Sequence, residues 1–192
     1  GKVRTQRAVY KVRNGVDPLS DCAGAEEDLL RADGLPIART WLGNVRFHRG
    51  VWRQKCGADG TPDFEAADRD LSPAEDADRL MRRGRVRAYL KRFDEAERDF
   101  AEAERLGSTS VWGWTWRGNA RMAAGDLPGA ETYLSKAIAV DREFSEAWEQ
   151  RGQERLDRGD WRGAAADFRE AIRLNPSVEP LVAPRLQEAL RR

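Results

Sequence analysis

Along the C-terminal two-thirds of the chain, small and bulky positions recur at fixed intervals. Ala96, Ala130 and Ala164 are each followed four residues later by a large apolar side chain, Phe100, Leu134 and Phe168, and three residues after that by Ala103, Ala137 and Ala171. Spacings of four and three mark one face of a helix. Upstream stand Gly84, Gly118 and Gly152, each twelve residues before its alanine and 34 residues from the next. An arginine precedes each glycine (Arg83, Arg117, Arg151), another follows at three residues (Arg87, Arg121, Arg155), and a bulky residue lies four before it (Leu80, Trp114, Trp148). The glycines predict a first helix that its partner approaches closely, and the alanines predict the flat surface of that partner. Turns between the two helices are expected at Gly125-Asp126 and Gly159-Asp160, where glycine suits a helix end and aspartate caps the next helix.

The N-terminal half repeats with a longer period. A shift of 42 residues places Gly15-Val16-Asp17 on Gly57-Ala58-Asp59, Ala25 on Ala67, Asp28 on Asp70, Leu29 on Leu71 and Ala32 on Ala74. Gly43-Asn44-x-Arg46 copies Gly118-Asn119-x-Arg121, and Gly50 then copies Gly125, with extra residues around Trp52 to Pro62 lengthening the first helix or its turn. The chain is therefore expected to form one domain over residues 1–192. It holds five helix pairs, near 2–34 (truncated at its start), 35–76 (extended), 77–110, 111–144 and 145–178, and a capping helix over 180–191 with Val182, Leu186, Ala189 and Leu190 on one face. Gly1 reads as a cloning remnant, so a leader on the parent protein stays open.

These positions resemble the tetratricopeptide repeat pattern of W-x2-L-G-x2-Y, then A-x3-F, then P, at that family's usual period of 34. The closing proline is present once, in Leu174-Asn175-Pro176, and arginine stands where the family has leucine before the glycine and tyrosine after it. The chain is identified as a bacterial-type fragment of that family. The resemblance implies an all-α fold, a right-handed superhelical solenoid of antiparallel helix pairs with a C-terminal capping helix and a concave face built from the first helices. It also implies a non-catalytic module that binds a protein or peptide segment in that groove, or a structural, self-associating part of a larger protein.

Composition fits such a module. Lys plus Arg number 34 against 33 Asp plus Glu, a net charge of +1, so no overall field favours nucleic acid. No apolar run approaches the roughly 20 residues needed to cross a bilayer. Chemistry is sparse: the one histidine, His48, lacks ligand companions, no phosphate-binding glycine loop occurs, and neither a cofactor nor a metal is expected. Glu95 with Arg98, Glu102 with Arg105, and Asp167 with Glu170 read as exposed helix-face spacings. Cys22 and Cys56 lack CxxC spacing and are expected mainly as free thiols, which fits the cytoplasm; the antiparallel packing of their helices leaves a disulfide, and an oxidising compartment, as the minor alternative.

What the resemblance implies about the groove is read residue by residue. The position after the glycine is Asn44, Arg85, Asn119 and Gln153, polar side chains able to hold a peptide main chain. One turn earlier lie Thr40, Met81, Thr115 and Glu149, and one turn later Phe47, Ala88, Met122 and Leu156. Trp41, Arg82 and Trp116 flank this row, and Trp112 begins the fourth first helix. The candidate partner-binding set is Asn44, Arg85, Asn119, Gln153, Trp41, Phe47, Met81, Arg82, Trp112, Trp116 and Met122, rich in types that carry interface energy. Thr40 and Thr115 stand where a clamp for chaperone C-termini needs lysine, which argues against that ligand. Arg79, Arg82, Arg83, Arg85 and Arg87 in the third unit, and Glu146, Glu149 and Glu154 in the fifth, predict a ligand acidic at the former and basic or neutral at the latter.

Overall fold

The computed structural model describes residues 2–13, 16–32 and 35–192; Gly15, an anchor of the 42-residue shift, lies outside them. Among the described residues there are eleven α-helices, one 3-10 turn and no strand, the all-α helical-repeat architecture expected. They gather into two compact units, residues 1–106 and 107–192. No helix among the described residues is long and apolar enough to cross a membrane.

The first unit holds α1 (Lys2–Arg13), α2 (Leu19–Leu30), α3 (Pro36–Lys55), α4 (Thr61–Asp70), α5 (Ala77–Tyr89) and α6 (Phe93–Arg105). One core packs Ala8, Cys22, Ala25, Leu29, Ala38, Leu42 and Val45, and the next packs Phe47, Phe64, Ala67, Leu71 and Val86. The extra length of the second pair lies in α3, which runs for 20 residues. Its hairpin with α4 carries the close approach twice: a Cβ on Gly43 would come within 2.8 Å of Leu71, and one on Gly50 within 2.7 Å of Phe64. Gly50 is thus a packing glycine inside a helix, which corrects its alignment with the turn residue Gly125. Seven residues, about two helical turns, separate the two crossings on each helix. The turn position is taken by Gly57, at φ 76°.

The second unit holds α7 (Val111–Ala123), α8 (Leu127–Val140), α9 (Ser145–Arg158), α10 (Trp161–Leu174), a 3-10 turn at Pro176–Val178 and α11 (Glu179–Arg191). Gly118 faces Leu134, and Gly152 faces Phe168, each at a Cβ approach of 2.7 Å. Both expected turns form. Gly125 and Gly159 take φ of 82° and 85°, and Asp126 and Asp160 accept from the Gly129 and Gly163 amides, each at 3.0 Å. Val182 and Ala189 of α11 are buried against Leu156, Ala164, Ala165 and Phe168. Leu190, expected on that same face, points outward: it follows Ala189, which faces the core, by one residue, a turn of about 100° around the helix.

Candidate functional site

The arginines flanking each glycine are structural. Arg83 reaches from α5 to α6 and donates twice to Asp99, at 3.0 and 2.7 Å, while Arg87 donates to the same carboxylate at 2.8 Å and to Asp68 of α4 at 3.0 Å. In the second unit Arg151 donates twice to Asp167, both at 2.9 Å, and Arg155 joins it at 3.0 Å. Asp99 and Asp167 each lie fifteen residues after a glycine and directly before the phenylalanine that packs on it. The third member of that column is Tyr133, and there Arg117 stacks instead, its guanidinium carbon 4.0 Å from the ring centroid. Asp167 is 1% exposed, so its reading as a surface residue beside Glu170 is corrected: α9 covers it. An aspartate stands one residue before the large apolar position in two of these three repeats, and its burial follows from the helix that arrives over it.

In the first unit the expected wall is partly core. Phe47 and Met81 are each 2% exposed. Phe47 packs edge-on to Tyr89 at 4.9 Å, and the Arg85 guanidinium lies 4.2 Å above its ring. Their assignment to a ligand-contacting wall is therefore corrected, since α4 and α5 close over Phe47. Trp41 is half-buried against the first core with the Lys2 ammonium 5.6 Å from its ring. Asn44, Arg82 and Arg85 keep partial exposure, Arg82 pairing with Asp78 one turn before it at 2.7 Å.

In the second unit Trp112, Trp116 and Phe144 form an aromatic cluster, with centroids 6.1 Å apart for the tryptophans and 4.5 Å apart for Trp112 and Phe144. Met122 and Asn119 are half-buried on the same helix. The Asn119 side-chain oxygen is screened from solvent and has no hydrogen-bond partner. Gln153 differs from the other polar positions: its amide donates to Asp157 at 2.7 Å and its oxygen accepts from Arg185 of α11 at 3.3 Å. Glu154 is fully buried where the other first helices carry Val45, Val86 and Ala120, and neither of its oxygens has a hydrogen-bond donor. Burial raises its carboxyl above the usual glutamate value, against the pull of Arg158 at 3.5 Å.

A tetratricopeptide repeat model matches residues 81–146, 116–178 and 149–190, more than half of the chain. The chain belongs to the tetratricopeptide repeat family. No curated protein matches this TPR chain. Among solved structures it is similar to TTC0263, a thermophilic TPR protein in Thermus thermophilus, with a TM-score of 0.75 at 18% identity over 100% of this chain and 99% of that one. It is similar to the Sgt2 TPR domain from Aspergillus fumigatus, with a TM-score of 0.57 at 22% identity over 63% and 81%. The first TPR of Spaghetti (RPAP3), solved bound to the HSP90 peptide SRMEEVD, matches with a TM-score of 0.56 at 20% identity over 60% and 90%. At these identities the likeness is one of fold.

The two TPR cysteines do not meet. Cys22 is buried among Ala8, Ala25 and Val45, whereas Cys56 is exposed at the end of α3, and both thiols are free. The disulfide alternative falls because α3 carries Cys56 out past the first core.

Proposed function

We propose that this TPR chain holds segments of another protein on the exposed faces of the first helices within each of its units, side-chain amides gripping the main chain of each segment. TPR domains are protein-interaction modules on a generally non-catalytic scaffold, and one structural neighbour was solved with a peptide bound. The observation that carries the reading is the unmet oxygen of Asn119. A screened acceptor without a donor costs free energy, and a turn of the half-buried side chain toward solvent lets the N–H of a bound peptide satisfy it. Asn44 offers the same group at the equivalent position of α3.

Charge divides the ligand chemistry. Arg79, Arg82 and Arg85 on α5 of the first unit suit an acidic stretch, and Glu146 on α9 of the second suits a basic or neutral one. The HSP90 peptide of the neighbour is not carried over. Thr115 stands where that clamp wants lysine, and its hydroxyl is already donating to the Val111 carbonyl at 2.8 Å. A second reading, docking onto another copy, draws on Val3 and Tyr10, which α1 turns outward at 74% and 65% exposure; a dimer in light scattering that dissolves on replacing both with serine would support it.

The test of the first reading is capture from the source lysate, comparing the wild type with an Asn44→Ala, Arg85→Ala, Asn119→Ala variant that keeps its helical circular dichroism. Loss of one dominant partner supports binding on the first-helix faces. An unchanged partner list sinks it.

A further inference from the structure

α11 lies on α9 and α10 through Val182 and Ala189, and between them Arg185 turns inward. Its guanidinium donates to Glu149 at 2.9 Å and to Gln153 at 3.3 Å, both on α9, and lies 5.7 Å from the Phe168 ring. The Glu149 residue is only 9% exposed. The face beneath α11 is therefore an apolar strip of Leu156, Ala164, Ala165 and Phe168 with one sunken negative charge at its edge, and whatever covers it must bring a cation. The helix that does so is weak in its own right. Pro184 sits in its interior, which deletes one helical hydrogen bond and crowds the carbonyl one turn before. Leu181 and Leu190 gain nothing from the packing, facing outward at 62% and 49% exposure.

We propose that the α9/α10 face is an interaction surface on which α11 is a displaceable occupant. The partner it fits is an amphipathic helix of the same chemistry, with small or aliphatic side chains at positions i and i+7 and an arginine at i+3, the spacing of Val182, Ala189 and Arg185. A partner helix without an interior proline keeps the hydrogen bond that α11 lacks and places the same cation on Glu149. The exchange trades one cation on Glu149 for another, so α11 acts as a latch over the α9/α10 face. The surface is separate from Asn119, and the proposal stands without the groove reading.

The probe is a fluorescein-labelled peptide of residues 176–192 carrying Pro184→Ala, titrated against the full chain and read by fluorescence anisotropy. Val182→Asp in the full chain disturbs the resident helix and leaves the receiving face intact. Apparent affinity scales with the fraction of molecules whose face is open, so this variant is expected to bind the probe about tenfold more tightly than the wild type. A probe that also carries Arg185→Glu is expected to bind neither. Equal binding to both chains, or none to the variant, overturns the proposal, as does a Val182→Asp chain that loses the helical signal of its whole second unit. Hydrogen exchange on the wild type needs no substitution: α11 amides are expected to exchange while α9 and α10 stay protected, and exchange of all three together identifies a fixed core and overturns the latch.

Discussion

Arg151 and Asp167 join the two helices of one repeat through two parallel hydrogen bonds, both of 2.9 Å, with the aspartate almost fully shielded from water. The same pair recurs as Arg83 with Asp99 in the first unit. The geometry is bidentate, which fixes the rotation of one helix against the other as well as their separation. It accounts for the arginine that replaces the leucine usual in the family.

Asp167→Ala leaves Arg151 without its carboxylate, while Arg155 keeps Glu131 at 3.2 Å. Removing one partner of a buried pair strands the other charge, so a loss of about 3–5 kcal/mol in unfolding free energy is expected. Glu170→Ala, one turn along on the solvent side, is expected to leave the unfolding midpoint nearly unchanged. Urea unfolding of both variants checks the contrast; equal costs would place Asp167 at the surface after all.

Gly152→Ala puts a methyl group 2.7 Å from the Phe168 ring. Overpacking of this kind is expected to cost about 1–3 kcal/mol, and a second change, Phe168→Leu, should recover part of it. Melting curves of the single and double variants give the answer, additive losses counting against the contact.

Glu154 predicts a pH dependence of definite sign. Its folded-state affinity for a proton is raised by burial, from an ordinary value of 4.5, with Arg158, Glu131, Arg155 and Asp160 the charges that act on it. The stability it allows is therefore full below that ordinary value and is lost as pH rises through the raised one. Glu154→Gln, neutral at every pH, should gain on the wild type as pH is raised from about 4 to about 7, as followed by chemical denaturation at each pH. A constant difference between the two proteins would refute the assignment.

The thiols should separate by reactivity. Burial pushes Cys22 up to about 11, whereas Cys56 lies exposed. Ellman's reagent is expected to titrate Cys56 alone in the folded chain and both thiols in denaturant. A native Cys56→Ser chain that still reacts at once would show that the first core opens readily.

The groove residues were legible by position and only in part by role. Repeat register located Asn44, Arg85, Asn119 and Gln153 on equivalent turns, yet Gln153 is engaged by Arg185, which lies 32 residues further on. Phe47 and Met81 looked like wall because a helix period places them near the row; whether a position is open depends on which other helix arrives there, and here it is closed.

By itself the sequence determined the repeat of 34 residues, the all-helical architecture, the close helix approach at Gly84, Gly118 and Gly152, and the turns at Gly125 and Gly159, while the structure set a large side chain rather than an alanine against each glycine. Those features are local: each repeat carries its own glycine, partner and turn, so the spacing that encodes them is visible along the chain. Tertiary structure alone decided that Asp99 and Asp167 are inside, that Gly50 is a packing residue, that Glu154 is sealed without a donor and that Arg185 folds back on Glu149. A helix offers several faces of similar polarity, and only the arrival of a second helix, covering one face and excluding water from it, turns a charged residue into a buried partner.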